Sequence, residues 1–438
     1  MDQLVQLITS SVETFKAEYQ KRGYNGPSLE DTSPHTADAI PPSIELKHAS
    51  QVIEGACAQL CAIVNPPQHT ICNHLEIACF RVVVEAKVAD HLKDSPDGLS
   101  VADLSLKTGI EAGKLGRIMR LLATKHFNDL FSSVQDGVFT NNRLSATLVS
   151  DSSMHALMGH FTDEAARAGL LLSKTLTDPE WSPSYAHNKT CFNRLTGYDG
   201  PLWTYLNDVD AAMGERLSTG MIGLSKGIGA GALLTTYPWN DLPEDASFCD
   251  VGGGVGFISM QVAGAFPNVR IVLHDLPPTV KQAESVWAEH CPEVVAQKRI
   301  EFAPIDFFVN PVQKGCNVYY LKNILHDWPD DKSKAIIENI KNGMQPSSRL
   351  LIQEYIIQHL QQPSGNVKMS VAPSPLLPNF GEGKIRQHYL DLEMLIMHNS
   401  QERTLEEYVR LCAACGLDFV KAYDCGETGV LEFKLASN

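Results

Sequence analysis

Residues 248–256, Phe-Cys-Asp-Val-Gly-Gly-Gly-Val-Gly, carry four glycines directly after an apolar strand. Such a run clears side chains from a backbone that another group must approach closely, and it reads as the loop of a nucleotide-type cofactor. Asp275 closes the next apolar stretch, Arg270–Asp275, 23 residues after Gly252. A parallel sheet places a carboxylate there against ribose hydroxyls. The dinucleotide fingerprint Gly-x-Gly-x-x-Gly/Ala fits neither frame, because its last position falls on Phe257 or on Ser259, which weakens a nicotinamide reading. Asp306, His326 and Glu354 end later apolar segments. Ligands of open parallel sheets bind outside the carboxyl ends of the strands, so Asp250, Asp275, Asp306, His326 and Glu354 are expected to ring one crevice.

The elements that must position these residues alternate in the order of an α/β doubly wound sheet. A helix is expected over about 278–290, a strand over 299–306, and another over 317–325 that runs into Leu325-His326-Asp327-Trp328-Pro329. Pro329 suits the first position of a helix whose Ile336, Ile337 and Ile340 share one face. A fifth strand, Arg349–Glu354, follows Gly343. Thr404 to Glu407 form a capping box ahead of a helix closed near Gly416, with Tyr408, Leu411, Cys412 and Cys415 at core spacing.

The ordered set Asp-Val-Gly-Gly-Gly-x-Gly (250–256), Leu325-His326-Asp327-Trp328, Gln353-Glu354 and Gln401-Glu402-Arg403-Thr404 resembles the class I S-adenosylmethionine-dependent O-methyltransferases of the plant caffeate type and the fungal small-molecule type. The resemblance covers roughly residues 75–438. It implies a seven-stranded Rossmann-like methyltransferase sheet behind an all-helical, winged-helix dimerisation domain. It also implies His326 as general base, bracketed by Glu354 and Glu402 and followed by Asp327. Cofactor contacts carried over are Asp250, Gly252, Gly253, Gly254, Asp275, Leu276, Asp306, Phe307 and Lys322. Substrate contacts are expected from Trp328, Met394, His398 and Asn399, with an aromatic-rich segment at 191–206 (Phe192, Tyr198, Trp203, Tyr205) serving as pocket wall or interdomain core. The cofactor implied is S-adenosyl-L-methionine, with no metal.

These residue types suit the implied chemistry. A phenol of pKa about 10 is mostly protonated at neutral pH, and histidine is the efficient base for it. Carboxylates beside the ring fix its tautomer and stabilise the imidazolium. In-line displacement gains most of its remaining acceleration from holding the reacting atoms collinear. Two departures bear on the substrate side. The segment His398-Asn399-Ser400-Gln401 leads into Glu402 about two residues early for the family, and residues 360–384 form a long Pro/Gly-rich connection expected to act as a flap.

The 438-residue chain has a formal charge of −15 and 44% hydrophobic content, a length prior for two to three units and a poor match to a polyanionic partner. No apolar run approaches a membrane span, and residues 1–22 lack the pattern of a secretory signal. Eleven cysteines spread along the chain read as a reduced, cytoplasmic pattern. Cys57 and Cys61 share a helical face and are expected in the core. The expected units are an amino-terminal helix and linker (1–43), a winged-helix dimerisation domain (44–160) with apolar helices over 44–63 and 70–92, a helical linker (161–235) and the catalytic domain (236–438).

A winged helix raises DNA binding as an alternative. Residues 97–144 hold six basic against five acidic residues, without the basic face a DNA reader presents. A second alternative is a cofactor-bound, non-methylating, pericyclase-like enzyme; retention of His326, Glu354 and Glu402 argues against it. The reading is methylation of a phenolic or enolic hydroxyl on a small aromatic or polyketide-like molecule by a homodimer, with amine acceptors left open.

Overall fold

Strands buried on both faces should be continuously apolar, and the runs Val318–Leu321 and Leu350–Ile352 are. The computed structural model describes residues 1–29, 31, 35, 37, 42–65, 76–124, 130–227, 230–360 and 370–437. Ahead of the catalytic half lie three short strands, β1 (Leu99–Ser100), β2 (Phe131–Gln135) and β3 (Val138–Asn141). Then follow β4 (Ser247–Val251), β5 (Arg270–Asp275), β6 (Ile300–Pro304), β7 (Val318–Lys322), β8 (Arg349–Glu354), β9 (Ile356–Ile357), β10 (Arg403–Thr404), β11 (Leu417–Asp424) and β12 (Gly429–Leu435).

Seven of these form one sheet in the order β11-β12-β8-β7-β4-β5-β6. β4 to β8 pair in parallel, whereas β12 runs antiparallel to β8 and to β11. Alternate residues of one strand feed opposite cores: Tyr319 and Leu321 pack with Ile336, Ile337 and Ile340, while Val318 and Tyr320 pack with Trp287 and Val262 on the other face. The order reverses between β4 and β7, so the crevice at their carboxyl ends is the topological switch point. Pro329 is the N-cap of the helix Asp330–Gly343 and not its first residue. The expected capping box at Thr404 and Glu407 forms, and Tyr408, Leu411, Cys412 and Cys415 are buried.

The amino-terminal half contains the winged helix. β1, β3 and β2 make its small sheet, with the helices Val101–Thr108 and Ala112–Leu122 between β1 and β2. Two expectations change here. The apolar stretch 70–92 is not one helix: residues 70–75 lie outside the described residues, and the remainder divides into Glu76–Glu85 and Val88–Lys93 because Lys87 takes a left-handed conformation, φ 50°. Cys57 is half-buried and Cys61 exposed, since the helix Ile44–Val64 turns its Ala49, Val52 and Ala56 face inward instead. Helical structure is continuous from Ser153 through a π-helical turn, Phe161–Ala165, to Gly169, across the expected boundary at 160.

The connection after β9 packs against the amino-terminal helices. Residues 361–369 lie outside the described residues, but Ala372, Leu376 and Phe380 are buried against Leu4, Val52 and Ala56 of the two amino-terminal helices. The described part therefore anchors those helices. Ion pairs reinforce the seam: Arg386 bridges Glu54 and Glu427, and Lys47 donates to the Cys425 carbonyl at 2.8 Å. Gly383 lies so close that a Cβ would overlap the Gln51 carbonyl. Gly383→Ala should cost about 1–3 kcal/mol through overpacking. Gly264→Ala, in a helix with nothing within 4 Å, should be neutral or stabilising; thermal unfolding of the two variants checks the difference.

Candidate active site

The glycine loop leaves β4 with backbone angles that only glycine holds cheaply. Gly252 has φ +74°, and a Cβ there would lie 2.5 Å from the Ile324 side chain. Gly254 has φ +60° and faces open space, so its backbone can meet a ligand directly. Asp275 at the end of β5 accepts N–H bonds from Gly254 (2.8 Å) and Leu276 (2.7 Å), which fixes the loop against the strand end. Burial raises the Asp275 carboxyl above its usual range. Asp250 lies beneath the loop: Ser259 donates to it at 2.6 Å, and burial, partly offset by that bond and by Lys322, pushes it up to about 6. Asp250 and Gly253 thus shape the loop from below. Phe307, with Phe308 and Trp328, forms an aromatic corner beside Gly252. Asp306 caps its own turn by accepting from Phe308 at 2.8 Å. A loop of open, positive-φ glycines with a carboxylate at the next strand end fits the amino-acid and ribose parts of S-adenosylmethionine.

β7 ends at Lys322, whose Nζ donates to Ser225 at 3.0 Å; burial lowers it to about 8. Asn323 then takes a left-handed conformation, φ 54°, tolerable for asparagine. The chain turns into the 3-10 helix Leu325–Asp327. Glu354, at the end of the neighbouring β8, receives the N–H groups of Ile324 and Leu325 at 3.0 Å each through Oε1. Its Oε2 lies 3.5 Å from His326 Nδ1. Glu402 arrives by a different route. β9 and β10 pair in parallel, Arg403 opposite Ile356, which carries Glu402 back beside the end of β8. Its Oε1 lies 2.6 Å from His326 Nδ1.

Nδ1–H therefore donates to Glu402, and Nε2 is the nitrogen that gains or loses the proton, with Asp327 Oδ1 3.5 Å away. Burial alone would lower the His326 pKa, but the charges of Glu402, Glu354 and Asp327 outweigh it and raise it to about 10. Burial pushes Glu402 and Asp327 each up to about 7 against the opposing pull of His326. All three shifts have one source: a dry cluster with more carboxylates than cations retains protons. His326, Glu354 and Glu402 also offer ligand atoms within 4.8 Å of one another. At 2.6 Å, though, Nδ1 and Oε1 are at hydrogen-bond distance, closer than the roughly 3 Å separating two ligands that each sit about 2 Å from one ion.

Among the residues expected to contact substrate, His398 has its Nε2 3.7 Å from Asp327 Oδ1, and burial followed by the charge of His326 lowers its pKa to about 3. Trp203 leans over the His398 ring at 5.5 Å. Phe192, Tyr198 and Tyr205 instead pack on one another. Met394 is buried in the core on its face of the sheet. Asn399 is committed elsewhere, its amide donating to the carbonyls of Ser184 and Ala186 at 2.8 and 3.0 Å. Trp328 packs edge-on against Phe308, 4.7 Å between ring centres. Ser225 escaped the sequence reading. Arg403 entered it only as a charged residue inside the Glu402-Arg403-Thr404 motif, and Asp391 only as the start of an expected pocket-wall helix, not as the residue that accepts from the Glu402 N–H at 2.9 Å.

Comparison with known proteins agrees with this geometry. The O-methyltransferase domain family matches residues 184–418, and the O-methyltransferase dimerisation domain family matches residues 68–151. The 3-O-methyltransferase 2 of Phanerochaete chrysosporium is 39% identical, over 98% of this chain and 96% of its own length. Among solved structures, the mitomycin 7-O-methyltransferase MmcR is 25% identical with a TM-score of 0.68, over 87% of this chain and 100% of its own. A pericyclic reaction enzyme shares the fold at 21% identity and a TM-score of 0.70, over 89% of this chain and 94% of its own. Fold alone therefore does not select the chemistry; sequence identity along the whole chain does, and by it this protein belongs to the S-adenosylmethionine-dependent O-methyltransferase family.

Proposed function

We propose that the acceptor is a phenolic or enolic hydroxyl of a small aromatic or polyketide-like molecule and that His326 takes its proton. The 2.6 Å contact between Glu402 and His326 Nδ1 carries this reading, because it commits one ring nitrogen to a carboxylate and leaves Nε2 to exchange the proton. When bound, S-adenosylmethionine supplies a methyl group activated by its sulfonium. Gly252, Gly253, Gly254, Asp275 and Leu276 would hold it, with Asp306, Phe307 and Lys322 around it and Asp250 behind the loop. Trp203, Met394 and His398 would line the acceptor side, with Trp328 at the aromatic corner.

The chain's own part is proton management and orientation. A phenol of pKa about 10 faces a histidine raised to about 10, so transfer between them is close to thermoneutral. Imidazolium with phenolate carries the same proton count as imidazole with phenol, and the surrounding carboxylates favour the charged ring. Glu402 holds the tautomer, Glu354 caps the turn that carries the ring, and Asp327 closes the Nε2 side.

We also place the chain in a homodimer formed through its amino-terminal domain and in a reducing compartment such as the cytoplasm. The match to the dimerisation domain supports the first. The free state of the described cysteines supports the second. No helix among the described residues is long and apolar enough to cross a membrane. Light scattering should return twice the 48.1 kDa chain mass; a monomer at micromolar concentration would reject the dimer.

Methyl transfer from labelled cofactor to a panel of phenols tests the base. His326→Ala should lose about 10²- to 10⁴-fold in kcat with cofactor affinity retained, and an unchanged kcat would remove His326 from the chemistry. The pH dependence has a definite sign. Activity needs a proton to leave the His326–acceptor pair, so it should rise with pH from neutral into the alkaline range. Glu402→Gln keeps an oxygen acceptor for Nδ1–H but deletes a negative charge that favours imidazolium. The ascending limb of kcat/KM should then move to lower pH, and a limb that stays in place would show that Glu402 does not set the proton affinity of the base.

A further inference from the structure

The dipeptide Glu402-Arg403 grips the catalytic turn at two places, and its second half has no role in the scheme above. Arg403 is only 1% exposed. A buried guanidinium is seldom favoured over an apolar side chain of like volume on stability grounds, so what its donors hold is informative. Nη1 donates to the Leu325 carbonyl at 2.8 Å, and Nη2 donates to the Trp328 carbonyl at 2.8 Å. These residues stand immediately before and after His326-Asp327. Nε and Nη2 also donate to Asp330 Oδ1, at 3.1 and 2.9 Å. The Ser333 hydroxyl supports the same two carbonyls, at 3.2 and 3.0 Å.

The Leu325 carbonyl closes the 3-10 turn by accepting the Trp328 N–H at 3.2 Å, and the Trp328 carbonyl lies just past it. A planar fork bridges these two carbonyls and, being rigid, fixes the spacing between their oxygens. Glu354 holds the N–H groups at the front of the turn. The turn is thus pinned at both ends, with the His326 ring between.

We propose that Arg403 is a positioning residue for methyl transfer: through the carbonyls of Leu325 and Trp328 it sets the backbone of the His326-Asp327 turn and hence the direction of Nε2. This rests on His326 acting as the base. Arg403 itself reaches neither acceptor nor cofactor. Lysine cannot replace it, because one ammonium nitrogen cannot hold two carbonyls at the spacing of a fork.

The test compares wild type, Arg403→Lys, Arg403→Ala and His326→Ala by kcat, KM, cofactor affinity from calorimetry, and melting temperature. Arg403→Ala is also assayed with guanidinium chloride below its denaturing range, against sodium chloride at equal ionic strength. A displacement of about 1 Å costs on the order of 10²-fold in rate. Both Arg403 variants should therefore lose kcat on that scale while binding cofactor as wild type does. Guanidinium, and not sodium, should restore part of the Arg403→Ala rate. Should Arg403→Ala fail to fold, Arg403→Lys decides through kcat and its pH profile, whose ascending limb should move to lower pH as the ring slackens from Glu402.

The proposal is overturned by a wild-type kcat in Arg403→Lys, by loss of cofactor affinity in step with kcat, or by guanidinium restoring melting temperature without turnover. An unimpaired His326→Ala overturns the base assignment and this role together. A crippled His326→Ala beside an unimpaired Arg403→Lys overturns the positioning role alone.

Discussion

Three buried carboxylates around one imidazole are the constraint to which the catalytic half answers. Glu354, Glu402 and Asp327 lie within 3.5 Å of the His326 ring nitrogens, in a region where an unpaired charge would be costly. Holding them together requires four stretches of chain to converge: the end of β7, the end of β8, the turn at 325–327 and the segment leading into β10. Each has a structural device for the purpose. Asn323 turns left-handed, Glu354 caps the 3-10 turn, the short β9–β10 pair returns Glu402 to the end of β8, and Asp391 fixes the Glu402 backbone. The cluster retains protons because it is dry and rich in carboxylates, and that retention brings a histidine into the range of a phenol.

The opposite side of the crevice works by vacancy. The glycine loop is shaped from below by Asp250 and Ser259 and from the side by Asp275, so that its exposed face is backbone alone. The glycine-loop side is thus defined by what has been cleared away, and the His326 side by charges brought in. The topological switch point between β4 and β7 lets two such different surfaces share one crevice.

The helical linker and amino-terminal helices serve the crevice at one remove. Trp203 reaches His398, and Phe192 and Tyr205 pack into a core shared with Met397. His160 bridges Glu164 and Glu393, at 3.4 and 3.0 Å, tying the π-helical turn to the helix Ile385–His398 that carries Met394 and His398. The connection after β9 anchors the first two helices through Leu376 and Phe380. Long Pro/Gly-rich connections are expected to be mobile, but apolar residues recurring within this one gave it a core to join.

Local chemistry made much of this legible in advance. Apolar runs punctuated by glycine dictate the alternation of strand and helix, the carboxylates Asp275 and Glu354 closing β5 and β8 mark the crevice, and the capping box at Thr404 marks its helix start, because these signals act over a few residues. What lay beyond reach depended on contacts between distant segments. The Glu402 carboxylate meets His326 across 76 positions, the Arg403 guanidinium finds the Leu325 carbonyl across 78, and Asn399 is drawn from the pocket to the carbonyls of Ser184 and Ala186. Cys57 and Cys61 show the same limit in reverse, since helical periodicity groups them on one face but only the packing partner decides which face is buried. Residue types and spacing determined the chemistry available to this protein; tertiary structure decided which polar groups share a dry volume, because burial and long-range pairing set proton affinity and orientation.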